Sequence, residues 1–254
     1  MSELVRYALL SLIVFLTHFQ EAITGFGGTV LAVPFVIFLL GLDATIKVLA
    51  IQAWIVVTFI VILARRRIVW RQYGRIVLFA GIGLPVGICM VRTLPESVLK
   101  LILGAFMVGI AVRGLSVTVR NKALPKWEPR AWQNWLMNGF VFMGGVIHGA
   151  FASGGPFVVI YATRVLTDKG IFRVTLCMLW VTLNTTLISY WLLTHALTPE
   201  IWFYTAICTP FTVVGMIAGD RCHHCIDERL FRLIVYAVLF LSGIAVLHSA
   251  RAGG

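Results

Sequence analysis

Charged side chains are scarce in this chain of 254 residues, of which only 12% are Asp, Glu, Lys or Arg. Ordinary globular proteins carry about 25%. Apolar residues make up 60% of the chain, and the mean hydropathy is +0.96. Because a soluble domain of this length needs far more charge to cover its surface, the composition excludes that class and predicts a chain that has lipid as its solvent.

Acidic residues are rarer than basic ones, ten against 21, which leaves a formal net charge of +11. Such a balance suits nucleic-acid binding only where Lys and Arg cover a water-facing surface. Here they lie in short gaps between apolar runs. We therefore predict no nucleic-acid partner, and we expect the basic groups to contact the anionic headgroups of membrane lipid.

Motifs of common enzymes are also missing, since the chain has no Walker loop, no nucleophile elbow and no paired catalytic carboxylates. We expect no enzymatic activity and no cofactor. The segment Cys222-His223-His224-Cys225 resembles a zinc-binding pattern, but four adjacent residues do not readily close a tetrahedron around one metal ion. The prediction is therefore that the chain has no metal site.

Long apolar runs are abundant, and many have the roughly 20 residues that a helix needs to cross a bilayer core of about 30 Å. No clean alternation of polar and apolar residues accompanies them, so we predict an all-α polytopic membrane protein. The predicted domains are an N-terminal membrane repeat, 1–118, a cytoplasmic linker, 119–131, and a C-terminal membrane repeat, 132–254. The predicted segments are 4–23, 29–40, 44–64, 76–92 and 97–118, and then 132–151, 156–166, 171–193, 200–219 and 229–249.

The two halves share the order and spacing of the glycine and titratable residues that interrupt their apolar runs, which indicates an internal repeat. In each half a titratable residue stands seven positions before the last glycine of a glycine-rich break. The breaks, Gly25–Gly28 and Ser153–Pro156, predict broken or re-entrant helices. The matching positions are Glu21 and Gly28 with His148 and Gly155, Gly83 and Gly87 with Gly215 and Gly219, and Gly109 with Gly243.

Lys and Arg in short loops mark the cytoplasmic side of a membrane protein. If each half has about five segments, four basic groups holding sixteen of the 21 basic residues fall on one side; if each break interrupts a single span, the split is about 12 to 9. The first arrangement is favoured. Because five is odd, it predicts two inverted repeats with both termini outside the cytoplasm. The four groups are Arg65, Arg66, Arg67, Arg71 and Arg75; Arg113, Arg120, Lys122, Lys126 and Arg130; Arg164, Lys169 and Arg173; and Arg221, Arg229 and Arg232.

Glycine-rich motifs follow one another in a characteristic order through both halves. They are Gly25-Phe26-Gly27-Gly28, Pro34, Gly83-x3-Gly87, Leu94-Pro95 and Gly104 with Gly109, and then His148 to Pro156, Tyr161, Phe172-Arg173, Pro210 and Gly215-x3-Gly219. In this order they resemble the TauE/SafE family of sulfite and organosulfonate exporters, over nearly the whole chain. The resemblance implies a multi-pass secondary transporter of the bacterial plasma (inner) membrane that moves sulfite, sulfoacetate or another organosulfonate.

The breaks predict the anion site, because a helix N-terminus presents unpaired backbone N–H groups and about half a positive charge. Glycine allows close approach of the backbone, hydroxyl groups add hydrogen-bond donors, and proline fits the start of a helix. Phe26 is expected to line or gate the site. The predicted substrate-binding residues are Thr24, Gly25, Phe26, Gly27, Gly28, Thr29, Ser153, Gly154, Gly155, Pro156, Tyr161 and Asn184.

Glu21 is the only acidic residue in the interior of a predicted span, since Glu200 stands at the first position of 200–219. The counterpart of Glu21 in the second repeat is His148. An ionised Glu21 repels an anion, so its protonated form is compatible with cargo, and both residues are candidates for proton coupling. A hydrogen-bonded Glu21 that only stabilises helix packing is the alternative at this position. A passive anion channel or an intramembrane enzyme that uses Glu21 and His148 is the alternative function. The expected partners are a small anionic substrate and membrane lipid, with a second copy of the chain as a candidate.

Overall fold

The computed structural model describes residues 2–120, 131–166, 168–222 and 228–252, and within these ranges all regular structure is helical. The predicted linker 119–131 lies for the most part outside them. The first half contains α1 (Glu3–Thr24), α2 (Gly28–Leu40), α3 (Leu42–Ala64), a short 3-10 turn (Arg65–Arg67), α4 (Trp70–Thr93) and α5 (Glu96–Arg120). The second contains α6 (Ala131–Phe151), α7 (Gly155–Val165), α8 (Lys169–Leu193), α9 (Pro199–Cys222) and α10 (Glu228–Ala252).

Six of the described helices are long and apolar enough to cross a membrane, which confirms the prediction of an all-α polytopic membrane protein. They are α1, α3, α4, α5, α8 and α9. By contrast, α2 has 13 residues and α7 has 11. At 1.5 Å per residue these two helices are about 20 Å and 16 Å long, less than the bilayer core. They are the half-length pieces that the glycine-rich breaks predict.

The break between α1 and α2 requires glycine because its backbone enters the left-handed region, with φ of 79° at Gly25 and 94° at Gly27. That region penalises any residue with a Cβ. In the second half Ala152 takes the place of Gly25, with φ of 50°. Each of the two residues donates its N–H to the carbonyl four positions back, on Glu21 or His148, at 2.7 Å. Thus α1 and α6 end in the same way, three residues after the titratable residue.

Close backbone packing joins the two halves. A Cβ on Gly83 or Gly87 of α4 would meet the backbone of α6, and a Cβ on Gly215 or Gly219 of α9 would meet the backbone of α1. Small residues four apart allow this approach in membrane helices. The further pairs, α3 with α8 and α5 with α10, join helices of the same rank in each half. Exchanging the two halves therefore leaves the main pattern of helix contacts unchanged.

Helices of the same rank run antiparallel where they meet. Gly104, near the start of α5, lies beside Gly243 and Leu247 of α10, whereas Gly114, further along α5, lies beside Tyr236. The orientation of the two repeats in a membrane stays a prediction.

Candidate functional site

The two breaks meet at a small cavity lined mostly by buried residues, which we call the central cavity, with about 280 Å³ of space free of protein atoms, part of it open to the surroundings. Residues from both ends of each break and from α3 and α8 surround it. They are Glu21, Gly27, Thr29, Val30, Ala53, His148, Ala152, Ser153, Gly155, Trp180 and Asn184. Two segments separated by more than 120 residues in the chain thus form one site.

On the side of the first break, Glu21 is 3% exposed. Its Oε2 lies 3.8 Å from Nε2 of His18, one turn earlier on α1, and makes no hydrogen bond among the described residues. A Cβ on Gly28 would lie 2.9 Å from the Cβ of Glu21, so the start of α2 needs glycine to pass over the Glu21 side chain. This contact explains the spacing of seven residues between them.

On the side of the second break, Nε2 of His148 lies 3.0 Å from Oδ1 of Asn184 on α8. An amide oxygen only accepts, so Nε2 of His148 donates this hydrogen bond. The imidazole stacks on Trp180, with ring centroids 5.2 Å apart and an interplanar angle of 22°. Within the described part of the chain, Nδ1 of His148 and Nε1 of Trp180 are buried and without a hydrogen-bond partner. Both residues line the central cavity.

The N-termini of α2 and α7 both border the central cavity. Gly27 precedes α2 and Gly154 precedes α7, and neither helix has a side chain that caps its first N–H groups. The first N–H groups of a helix have no partner within the helix and carry its positive dipole end. The cavity is therefore bordered by two positive helix ends, with the Thr29 hydroxyl beside the first of them.

The structure brings together part of the predicted binding set at this cavity. The predicted residues that line it are Gly27, Thr29, Ser153, Gly155 and Asn184, with Glu21 and His148. Gly28 and Gly154 stand next to them, since a Cβ on Gly28 would meet Glu21 and a Cβ on Gly154 would meet His148. Pro156 follows at the start of α7. The side chain of Thr24 lies outside the described residues.

The remaining predicted residues do not line the central cavity. Phe26 packs edge-on against Phe172, with ring centroids 6.2 Å apart, and lies beside Gly155, where a Cβ would be 3.6 Å from the Phe26 ring. Gly25 lies against Arg173, whose Cγ a Cβ on Gly25 would approach to 2.7 Å. Tyr161 donates a hydrogen bond to Oε1 of Gln72 at 2.9 Å, so it contacts the first turn of α4 and does not line the central cavity.

Two residues of the site escaped sequence analysis, His18 and Trp180. Each follows from helical spacing, since His18 precedes Glu21 by three residues and Trp180 precedes Asn184 by four, which places each on the same helix face as its neighbour. A metal site at the CxxC segment, 222–225, is not described, because His223, His224 and Cys225 lie outside the described residues. Among the residues that the structure does describe, no three potential metal ligands cluster.

Membrane-length helices that enclose two half-length helices, both beginning at one cavity, are typical of membrane transporters. The family model "Sulfite exporter TauE/SafE" matches residues 10–246, and the chain belongs to this family. It is also similar to the probable inner membrane transporter protein TsaS of Comamonas testosteroni, with 24% identity over 186 residues that cover 71% of this chain and 73% of that protein. No solved structure matches. The chain is therefore a multi-pass inner-membrane protein of a transporter family.

Proposed function

We propose that this protein is a secondary transporter of a small sulfur-containing anion, such as sulfite, sulfoacetate or another organosulfonate, and that it acts without catalysis. The observation that carries the proposal is the convergence of the N-termini of α2 and α7 on the central cavity. The anion binds there, between the two positive helix ends. Membership of the family supports a sulfur-containing anion as the substrate, and the structure supports the two helix ends as its binding site.

The binding energy comes from backbone and neutral donors, with no arginine or lysine lining the cavity. Backbone N–H groups of the two half-helices face the anion, and the Thr29 hydroxyl and the Trp180 indole add donors. The indole N–H of Trp180 has no other partner among the described residues, and an anion oxygen satisfies it. Weak fixed positive charge suits a transporter, which must release its cargo as well as bind it.

Proton coupling follows from the two titratable side chains of the cavity. A deprotonated Glu21 repels the anion, whereas a protonated Glu21 donates a hydrogen bond to it. A proton on Nδ1 of His148 adds a further donor and a positive charge. The anion and a proton therefore occupy the site together, which couples their movement.

The two halves form inverted repeats in the membrane, with both termini outside the cytoplasm. The antiparallel contact between α5 and α10 and the gathering of basic groups at one end support this arrangement. Inverted repeats allow alternating access, because the site between them opens to one side as one repeat rocks against the other.

Counterflow in proteoliposomes tests this function. Purified protein is reconstituted into vesicles preloaded with unlabelled sulfite, sulfoacetate or toluenesulfonate, and uptake of the same labelled anion is followed over time. A transporter gives saturable uptake that needs unlabelled anion inside. A channel gives conductance without exchange, and a scaffold gives neither, so either of these results rejects the proposal.

A further inference from the structure

A second cavity opens between α3, α4, α6 and α8, and we call it the Lys47 cavity. It holds about 570 Å³ of space free of protein atoms, part of it open to the surroundings. Its charged members are Asp43, Lys47 and Arg92. Two cations thus face one carboxylate, which gives the cavity a positive balance. The full lining is Asp43, Ile46, Lys47, Ile88, Val91, Arg92, Gly149, Ala150, Tyr190, Trp191, Thr194 and Ala196.

Lys47 is the buried cation of this cavity. Its side chain is 10% exposed, and its ammonium lies 2.6 Å from Oδ2 of Asp43, whose own side chain is 73% exposed. Water therefore screens the carboxylate far more than it screens the ammonium. A mostly buried ammonium held by a hydrated carboxylate keeps a positive potential inside the cavity.

The Lys47 cavity adjoins the central cavity along the same helices. On α3 the lining moves from Lys47 to Ala53, and on α8 it moves from Trp191 to Asn184. These steps of six and seven residues correspond to about 10 Å along each helix. On α6 the two linings are consecutive, because His148 lines the central cavity and Gly149 lines the other.

Lys47 also lies at the end of α3 that is remote from the basic turn Arg65–Arg67. By the positive-inside rule that turn is cytoplasmic, so the Lys47 cavity faces the opposite side of the membrane.

An ion pair between α8 and α9 lies at the opposite end of the molecule. Arg173, at the start of α8 as Lys47 is at the start of α3, lies 2.8 Å from Asp220 of α9. Matching of Gly83 and Gly87 with Gly215 and Gly219 places Ile88 of α4 where α9 has Asp220. Because α4 contains no acidic residue, it offers Lys47 no partner for a corresponding ion pair.

We propose that the Lys47 cavity is an anion-binding vestibule, in which Lys47 and Arg92 hold the transported sulfonate or sulfite before it enters the central cavity. The inference rests on the transport function proposed above and adds a second binding site to it. Asp43 opposes the anion and weakens this site. Lys47 and Asp43 consequently have opposite effects on apparent affinity, although they belong to one ion pair.

The test compares Lys47→Gln, Asp43→Asn and Lys100→Gln in the counterflow assay, at low and high salt. Lys100 is the matched control, since it pairs with Glu96 four residues earlier at 2.8 Å on α5 and does not line the cavity. We expect Lys47→Gln to raise KM about three- to tenfold, and Asp43→Asn to lower KM about two- to fivefold, as one charge within several Å allows. Neither change alters kcat, and high salt reduces both effects.

Two further variants guard against misfolding of Lys47→Gln. Lys47→Arg keeps the charge and retains the wild-type KM, and Arg92→Gln raises KM in the same direction as Lys47→Gln. If Lys47→Gln and Asp43→Asn change KM in the same direction, the pair is structural and the vestibule is rejected. If both match Lys100→Gln, Lys47 serves lipid headgroups and the vestibule is again rejected while transport stands. If the wild type exchanges none of the three anions, both proposals fail.

Discussion

At the scale of single residues, the buried carboxyl of Glu21 is the group of the site whose ionised form is least suited to its surroundings. Its carboxyl is buried beneath the start of α2, with His18 at 3.8 Å as the nearest titratable group on α1. From the other packed elements, His148 of α6 borders the same cavity, and the Cys177 thiol of α8 lies 3.8 Å from the carbonyl oxygen of Gly25. Protonation of this carboxyl therefore changes the charge that an incoming anion meets.

Glu21→Gln is expected to leave anion binding within about threefold of the wild type, because an amide has the shape of a protonated carboxyl and still donates a hydrogen bond. The pH dependence changes instead. Wild-type exchange falls as the pH rises and Glu21 loses its proton, whereas exchange by Glu21→Gln stays level across that range. The measurement is the initial counterflow rate of toluenesulfonate, whose charge is constant, from pH 5 to 9.

Glu96→Gln is the matched control, since Glu96 is an exposed carboxyl outside the central cavity. It retains the wild-type pH profile. An unchanged profile in Glu21→Gln would remove Glu21 from proton coupling and leave it a packing role.

At this scale the sequence predicts much of the site but not its limits. The seven-residue spacing from Glu21 to Gly28 and from His148 to Gly155 marks both breaks. In each break a glycine lies against the titratable side chain, because a Cβ on Gly28 would meet Glu21 and a Cβ on Gly154 would meet His148. Trp180 lies four residues before Asn184 and so on the same helix face, but an aromatic residue in an apolar span is not by itself a sign of a binding site. Only the fold brings Trp180 against His148.

Among the elements, α4 and α9 act as packing partners of the two broken helices. Each presents a pair of glycines, four residues apart, to a backbone of the other half. This function of Gly83, Gly87, Gly215 and Gly219 is inferable from sequence, because small residues at that spacing typify close helix contacts. Which helix receives each pair is not inferable, since any apolar helix offers the same surface.

Gly87→Ala is expected to destabilise the protein by about 1–3 kcal/mol, because the new Cβ overlaps the carbonyl of Val146 and approaches the Ala150 nitrogen to 2.7 Å. Gly81→Ala, on the same helix, is the control. A Cβ there meets no atom within 4 Å, so this change is neutral or stabilising by up to about 1 kcal/mol. Thermal unfolding in one detergent compares them. Equal stabilities would contradict the close packing of α4 on α6.

The boundaries of the two half-length helices are predictable from sequence, but the backbone conformation of the second break is not. The predicted piece 29–40 is α2, Gly28–Leu40, and the predicted piece 156–166 is α7, Gly155–Val165. Glycine and proline punctuate these boundaries strongly. The second break nevertheless begins at Ala152 in the left-handed region, and an alanine in the sequence does not predict that conformation.

For the whole molecule, the proposed inverted arrangement predicts which side of the membrane each basic group faces. Because sixteen of 21 basic residues fall on one side in the five-segment topology, the chain is expected to insert with both termini outside the cytoplasm. Green fluorescent protein and alkaline phosphatase fusions test this orientation. A fusion after Gly254 shows phosphatase activity without fluorescence, whereas a fusion after Arg67 shows fluorescence without phosphatase activity. Fluorescence at Gly254 would reject the five-segment topology.

The central claim is that an anion binds between the N-termini of α2 and α7, and Asn184 provides the most direct test of it. Asn184→Asp keeps an acceptor for Nε2 of His148 but adds a negative charge to the cavity. Asn138→Asp is the matched control, because Asn138 is also buried and accepts a hydrogen bond from Arg75 at 3.1 Å, outside the cavity.

Thermal stability of the three proteins is measured as sulfite, sulfoacetate or toluenesulfonate is titrated, because a ligand of the folded state raises its apparent stability. We expect a saturable rise in Tm for the wild type and Asn138→Asp with at least one anion, and binding at least about tenfold weaker for Asn184→Asp, because like charges repel. Wild-type affinity in Asn184→Asp, or no dose-dependent shift with any of the three anions, would contradict an anion site at the two helix ends.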